Sequence, residues 1–310
     1  MLRPTLLLLA ALTLTPPHST AAESRPSTAQ PNVQVLPQPF TIPGLNRQRT
    51  VRLYLPPSYA TSGDKRYPVI YMHDAQNLFD DATSYAGEWG VDESMNELAR
   101  TRGFEAIVVG IDHGNEHRIS ELAPWPNPKH GAAEGPQYMA FVVDVVKPWI
   151  DAHYRTQPGR ESTAIIGSSM GGLVSHYALL RYPQVFSKAG IFSPSYWFSQ
   201  KVYDETLAHP WPNGTRTWFY IGGKEGDESV PDVDRMMGVL STQNKPPQDV
   251  ALHIEPQAEH NERAWRAEFP RAVAWLFGLP GNSTAAPAAA AAPAAPTAPA
   301  APAAAASAAR

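Results

Sequence analysis

The sequence predicts an α/β protein with a mostly parallel central sheet, an antiparallel N-terminal edge and helices on both faces. Continuously apolar segments, typical of strands covered on both faces, alternate along the chain with longer segments of helical periodicity. The first two strand-like segments instead alternate polar and apolar residues, as antiparallel strands exposed on one face do. Regular alternation of strands and helices is the pattern of a parallel sheet covered by helices.

The predicted elements follow one another between residues 33 and 277. Strands are predicted at residues 33–40, 49–55, 67–73, 104–111, 163–167, 188–192, 217–221 and 250–254. Helices are predicted at residues 91–101, 137–154, 171–181, 233–241 and 261–277. We expect Pro148 to kink the second of these helices, because proline has no backbone N–H. Ligands of such sheets bind outside the carboxyl ends of the strands.

The two ends of the chain differ in composition from its centre. Residues 1–22 contain one positive charge, an apolar run and a small-residue end, the pattern of a secretory signal removed near Ala22. The apolar run is too short for a stable membrane anchor, so we expect no stable membrane insertion and a periplasmic or secreted protein. Residues 281–310 are almost wholly Ala and Pro, which predicts a disordered tail. Residues 23–280 are expected to form one domain.

Composition excludes several classes of function. The 310 residues include no cysteine, which excludes disulfides and thiol catalysis. Lys and Arg number 25 and Asp and Glu 29, for a net charge of −4 with no basic block, so nucleic acid is not an expected partner.

The most informative stretch is Gly167-Ser168-Ser169-Met170-Gly171, between an apolar strand and a helix-like pattern. It matches the nucleophile-elbow pattern Gly-x-Ser-x-Gly, in which the central Ser has a positive φ and small neighbours let strand and helix approach closely. The context predicts that Ser169 is a catalytic nucleophile. The alternative is a simple Gly/Ser turn.

A serine nucleophile needs a base, and the base needs a carboxylate. His260 lies between the last predicted strand and the last helix, at the same sheet edge as the elbow, although a helix-capping or solvated histidine is the alternative. The chain order Ser, acid, His directs attention to the loop after residue 221. Glu225 follows a glycine turn and is the preferred acid, with Asp227 second.

An oxyanion requires preorganised N–H donors. The backbone N–H of Met170, just after the nucleophile, is one candidate, and that of Ala75 or Gln76, in the loop after residue 73, is the other. The adjacent pair His73-Asp74 could serve acid/base chemistry, but a role in shaping this loop is the preferred interpretation.

Aromatic residues in strand-end loops are candidates for a substrate pocket, chiefly Trp125, Tyr196 and Trp197. Trp125 lies between two prolines in the long segment 112–136, and it could instead anchor that loop to the core. His113 and His117 have metal-compatible spacing, but the segment is a predicted loop without a fixed third ligand. No metal or other cofactor is therefore expected.

In combination, four segments resemble the esterase-D-like branch of the α/β-hydrolases, which includes enterochelin esterase-like proteins, feruloyl and acetylxylan esterases, S-formylglutathione hydrolases and mycolyltransferases. The segments are residues 71–79, 166–172, 193–197 and 260–265. The resemblance implies an α/β-hydrolase fold, a triad of Ser169, Glu225 and His260, and an acyl site near Ser193-Pro194-Ser195-Tyr196-Trp197. One departure is Ala75, where many relatives have glycine after the aspartate.

The sequence therefore predicts a serine esterase that acts on a small-molecule ester, whether of a sugar, an aromatic acid or a siderophore. An acyltransferase using the same acyl-enzyme, with a sugar or other alcohol in place of water, is the first alternative. A non-catalytic binding protein on the same scaffold is the second, which a complete triad disfavours. Fold alone does not choose among ester substrates.

Overall fold

The structure is a computed structural model that describes residues 25–280. The predicted signal segment, residues 1–22, and the predicted tail, residues 281–310, lie outside the described residues.

Within residues 25–280, ten strands form two sheets. They are β1 (Val33–Val35), β2 (Phe40–Ile42), β3 (Arg47–Arg49), β4 (Val51–Tyr54), β5 (Val69–His73), β6 (Ile107–Ile111), β7 (Thr163–Ser168), β8 (Lys188–Phe192), β9 (Arg216–Gly222) and β10 (Val250–Glu255). The large sheet has the order β1-β4-β6-β5-β7-β8-β9-β10, and β2 pairs with β3 in a separate hairpin.

The sheet is parallel except at its N-terminal edge, as predicted. β1 pairs with β4 and β4 pairs with β6 in antiparallel fashion. Every later pairing, from β6 through β5 and β7 to β10, is parallel. The carboxyl ends of β5, β7, β8, β9 and β10 therefore meet at one edge of the sheet.

Helices cover both faces of the sheet. They are α1 (Val91–Arg102), α2 (Arg118–Glu121), α3 (Gly135–Phe141), α4 (Lys147–His153), α5 (Met170–Arg181), α6 (Lys201–Ala208), α7 (Ser229–Ser241) and α8 (Glu262–Leu276). One apolar core lies between the sheet and α3, α5, α6 and α7, and a second lies between the opposite face and α1 and α8. Successive residues of β7 point to opposite faces of the sheet: Ile165 belongs to the first core and Ile166 to the second.

Several sequence-based expectations differ from the structure in detail. The predicted strand 33–40 stops at Val35, and Pro37 and Pro39 follow, which have no N–H to continue the ladder. The predicted helix 137–154 is interrupted by a wide turn at Val142–Val146. This turn ends two residues before Pro148, which cannot donate a helical hydrogen bond, so the irregularity precedes the proline. Helices α2 and α6 were not predicted. Within residues 25–280, no helix combines the length and the apolar character needed to cross a bilayer.

Candidate active site

Ser169 occupies the sharp turn between β7 and α5. Its backbone has φ 57° and ψ −123°, a strained conformation for a residue with a Cβ. A Cβ on Gly167 would lie 2.6 Å from the carbonyl oxygen of Gly171, which explains why the position before the turn has no side chain. The strand and helix can therefore approach as the nucleophile elbow requires.

The segment after β8 holds this turn. The N–H of Ser169 donates to the carbonyl of Phe192 at 3.0 Å, and the N–H of Ser195 donates to the carbonyl of Ser169 at 3.0 Å. The two hydroxyl oxygens of Ser169 and Ser195 are 3.2 Å apart. Ser195 was not predicted as a site residue from the residues alone. The small polar cluster that contains it, directly after a buried strand, could have indicated a place in the site.

Glu225 and His260 meet at the same edge of the sheet. Oε2 of Glu225 lies 2.7 Å from Nδ1 of His260. The carboxylate is 1% exposed, whereas the imidazole is 41% exposed. Asp227 is exposed, so the structure brings Glu225 rather than Asp227 to the imidazole. The N-cap of α8 is Asn261, whose side chain accepts from the N–H of Ala264, so His260 does not cap the helix.

The other oxygen of Glu225 is held by two donors. The N–H of Gly222 donates to Oε1 at 2.7 Å and the hydroxyl of Ser193 donates at 2.6 Å. The indole N–H of Trp265 in turn donates to the Ser193 hydroxyl at 2.8 Å. Because a carboxylate only accepts, this arrangement puts a proton on Nδ1 of His260 and leaves Nε2 free to accept one.

The candidate oxyanion donors lie on either side of the elbow. Met170 is the first residue of α5, so its N–H is one of the unpaired donors at a helix N-terminus. Ala75 and Gln76 begin a short helical turn, Ala75–Asn77, directly after β5. The side-chain amide of Gln76 accepts from the N–H of His113 at 2.9 Å and donates to its carbonyl at 3.0 Å.

His73 and Asp74 are both buried beside this turn. Nδ1 of His73 lies 2.8 Å from the hydroxyl of Tyr138, and burial lowers the pKa of His73 to about 4. The carboxylate of Asp74 accepts two hydrogen bonds from Arg118. These partners agree with the preferred interpretation of the pair as one that shapes the loop.

The three predicted pocket aromatics have different environments. Trp125 is 6% exposed and packs edge-on against Tyr177, with ring centroids 5.7 Å apart. Tyr196 is fully buried, and its hydroxyl lies 2.6 Å from Nδ1 of His176. The side chains of Trp125 and Tyr196 are therefore occupied in core packing, which favours the anchoring alternative for Trp125. Trp197 is 57% exposed, and a substrate can reach it.

No cluster of three or more metal-ligating side chains is found among residues 25–280. Nδ1 of His113 accepts a hydrogen bond from the N–H of Asn115, and His117 lies 3.6 Å from Glu116. The geometry thus assigns both histidines local partners within their loop.

Comparison with known proteins identifies the family. The model of the "Putative esterase" family matches residues 42–276, which is most of the domain. The chain belongs to this esterase family. It is accordingly a hydrolase that acts on ester bonds, with the α/β-hydrolase architecture that the sequence predicted.

Two proteins of Bacillus subtilis (strain 168) are similar to the chain in sequence, and one of them is named as an esterase. The esterase is 27% identical to Bacillus subtilis (strain 168) protein YbbA over 243 residues, which cover 74% of this chain and 93% of YbbA. It is 29% identical to the ferri-bacillibactin esterase BesA of the same organism over 182 residues, or 50% of this chain and 60% of BesA.

Solved structures share the fold of the esterase. The BES protein from Bacillus cereus aligns with a TM-score of 0.65 and 18% identity, covering 83% of this chain and 98% of that protein. The enterobactin esterase FES from Shigella flexneri aligns with a TM-score of 0.66 and 17% identity, covering 82% of this chain and 60% of that protein. At such identities the likeness is one of fold.

Proposed function

We propose that the protein hydrolyses small-molecule carboxylic esters through an acyl-enzyme on Ser169, with His260 as general base and Glu225 as its acid partner. The observation that carries this proposal is the 2.7 Å contact between the buried carboxylate of Glu225 and Nδ1 of His260, at the strand-end edge where the elbow presents Ser169. Family membership supports ester hydrolysis, and this contact supports the particular mechanism.

In the acylation step, Oγ of Ser169 attacks the ester carbonyl carbon while Nε2 of His260 takes the hydroxyl proton. Glu225 keeps the Nδ1 proton oriented and stabilises the imidazolium that forms. The negative charge on the carbonyl oxygen is stabilised by the N–H of Met170 and by that of Ala75 or Gln76. Collapse of the intermediate breaks the bond to the alcohol oxygen, which leaves with the proton from His260.

Deacylation repeats these steps with water as the nucleophile. His260 takes a proton from the attacking water and returns it to Oγ of Ser169 when the acid departs. In the resting site, the hydroxyl oxygen of Ser195 lies 3.2 Å from Oγ of Ser169.

We place the substrate among small-molecule esters. BesA is named as a ferri-bacillibactin esterase, and a relative from Xylanibacter ruminicola, 22% identical over 190 residues, is named as an endo-1,4-beta-xylanase/feruloyl esterase. The exposed indole of Trp197, in the segment after β8, provides an apolar surface for an aryl acyl or alcohol group.

Hydrolysis of p-nitrophenyl acetate by purified protein tests the mechanism. We expect Ser169→Ala to lower kcat by about 10⁶-fold and to abolish labelling by a fluorophosphonate, because the nucleophile is removed. Ser168→Ala is the matched control: Ser168 is a buried strand residue next to the nucleophile and should be dispensable for both. Labelling of Ser168 instead would refute the assignment, and an acylated sugar formed on adding a sugar acceptor would identify an acyltransferase.

A further inference from the structure

An ion pair connects the loop after β5, residues 74–79, to the long segment 112–136. It has no role in the mechanism proposed above. Asp74 has a left-handed backbone, with φ 57° and ψ 47°. Its carboxylate accepts hydrogen bonds from Nε of Arg118 at 2.7 Å and from Nη2 of Arg118 at 2.9 Å. This is the two-point geometry in which a guanidinium fixes both the position and the plane of a carboxylate.

The ion pair touches both sides of the proposed oxyanion site. On one side, Asp74 is the residue directly before Ala75 and Gln76, whose N–H groups are the candidate donors. On the other side, Oδ2 of Asp74 lies 3.4 Å from the point where a Cβ on Gly171 would be, in the first turn of α5. The Asp74 carboxylate therefore lies between the loop after β5 and the first turn of α5.

A second tie joins the same two segments. Arg118 belongs to α2, in the long segment 112–136, and His113 is the second residue of that segment. The side-chain amide of Gln76 binds both the N–H and the carbonyl of His113. The long segment thus holds the loop after β5 at two points, 74 and 76, which are the residues on either side of Ala75.

The charge state of the pair favours a permanent contact. Burial by itself raises the pKa of Asp74, but the positive charge and hydrogen bonds of Arg118 outweigh it, so the pKa lies below its ordinary value. Asp74 is accordingly a carboxylate at neutral pH. Its left-handed backbone, which costs free energy in a residue with a Cβ, persists only where the surrounding structure fixes it, and the ion pair is one such contact.

We propose that Asp74 and Arg118 are positioning residues, which hold the N–H groups of Ala75 and Gln76 toward the oxyanion; this rests on the function proposed for Ser169. The long segment 112–136 therefore affects the reaction indirectly, because it orients the backbone of Ala75 and Gln76. Arg118 does not need to contact the substrate. Loss of the ion pair should lower transition-state stabilisation and leave substrate binding nearly unchanged.

Steady-state kinetics with p-nitrophenyl acetate test the proposal. We expect Arg118→Met and Asp74→Asn each to lower kcat by about 10- to 100-fold with KM changed less than about twofold, since loss of one oxyanion donor costs about 10²–10³-fold and misalignment costs less. Arg118→Lys keeps the charge but not the two-point geometry, and its kcat should be intermediate. The double variant should be no worse than the poorer single variant, because the two residues act as one unit.

Arg47→Met is the matched control. Arg47 is 24% exposed and Arg118 is 27% exposed, and Arg47 forms ion pairs with Glu121 and Glu134 of the same long segment. It has no contact with the loop after β5 among its hydrogen bonds in the described residues. We expect its kcat to stay within about twofold of wild type; a loss equal to that of Arg118→Met would overturn the proposal, because it would show a general loosening of the segment.

Amide hydrogen exchange gives a readout that does not depend on activity. Exchange in the peptide covering residues 74–79 should be faster in Arg118→Met than in wild type and unchanged in Arg47→Met. Unchanged kcat and unchanged exchange in Arg118→Met would refute the positioning role while leaving the proposed function intact. If wild-type protein hydrolyses no ester, the proposed function fails. Exchange alone then decides whether the ion pair orders the loop.

Discussion

The hydroxyl of Ser193 donates a 2.6 Å hydrogen bond to Oε1 of Glu225. With the Gly222 N–H on the same oxygen, Oε1 has two donors and Oε2 is left for His260. The carboxylate therefore cannot rotate without losing hydrogen bonds in a buried site, which is costly. The position of the imidazole thus depends on β8 and on α8, through Ser193 and Trp265, as well as on the loop that carries Glu225.

The acid of the triad can be tested by comparing Glu225→Gln with Asp227→Asn. An amide at position 225 would donate to Nδ1 and favour the wrong imidazole tautomer, so we expect kcat on p-nitrophenyl acetate to fall by about 10⁴-fold. Asp227 is exposed and in the same loop, which makes it a matched control with nearly unchanged kcat. A larger loss in Asp227→Asn than in Glu225→Gln would reverse the assignment.

Removal of the Ser193 hydroxyl should lower kcat by about 10- to 100-fold, since a hydrogen bond to a charged group contributes roughly 1.5–3 kcal/mol. Ser193 has φ 43°, so Ser193→Gly and Ser193→Ala separate two effects. Both remove the hydroxyl, but only alanine keeps the cost of a Cβ at positive φ. We expect Ser193→Gly and Ser193→Ala to lose kcat equally, and Ser193→Ala to have a lower melting temperature than Ser193→Gly. Unequal losses in kcat would show that the backbone, and not the hydroxyl, controls Glu225.

The order and placement of Ser169, Glu225 and His260 could be predicted because each follows a strand, and parallel strands end at a common edge. The elbow conformation could be predicted for a local reason, since Gly167 and Gly171 flank the turn within five residues. Strand ends were less predictable. The two prolines at 37 and 39 shorten β1, although the apolar pattern continues past them.

Residues that support the site were outside the reach of sequence reasoning. Arg118 is 44 residues from Asp74, and Trp265 is 72 residues from Ser193. No periodicity or spacing connects partners at such separations, because the contacts arise when neighbouring strand-end loops fold against one another. The same limit applies to Trp125 and Tyr196, because their loop positions suggested a pocket but did not indicate that both side chains are buried.

Trp125 and Trp197 should respond differently to truncation. Trp125→Ala removes a buried indole from its contact with Tyr177, so we expect a loss of about 3–5 kcal/mol in the free energy of unfolding and lower activity on every ester in parallel. Trp197→Ala, at an exposed position, should change stability by less than about 0.5 kcal/mol. It should raise KM for a bulky aryl ester more than for p-nitrophenyl acetate. Substrate-selective loss in Trp125→Ala, at wild-type stability, would restore Trp125 to the pocket.

Among residues 25–280, His176 is buried without a charged partner, so we expect the stability of the protein to depend on pH. Thr206 donates its hydroxyl to the carbonyl of Val202 at 2.6 Å, so its oxygen accepts from Nε2–H of His176 at 2.9 Å. Nδ1 of His176 must then accept from the hydroxyl of Tyr196, at 2.6 Å. The ring is therefore held in its neutral form, and burial lowers the pKa of His176 to about 3.

As pH falls, the unfolded chain binds a proton at His176 near its ordinary pKa of about 6.5, while the folded protein does not until about pH 3. The contribution of neutral His176 is thus complete above pH 6.5 and is lost progressively toward pH 3, at about 1.4 kcal/mol per pH unit. Urea unfolding at pH 5.5 and 4.5 measures this slope. His176→Asn should reduce the slope by about 1.4 kcal/mol per pH unit, whatever its absolute stability. Tyr196→Phe is the control: it should lower stability at both pH values and retain the wild-type slope, because the buried imidazole remains. An unchanged slope in His176→Asn would instead mean that the ring is protonated in the folded state.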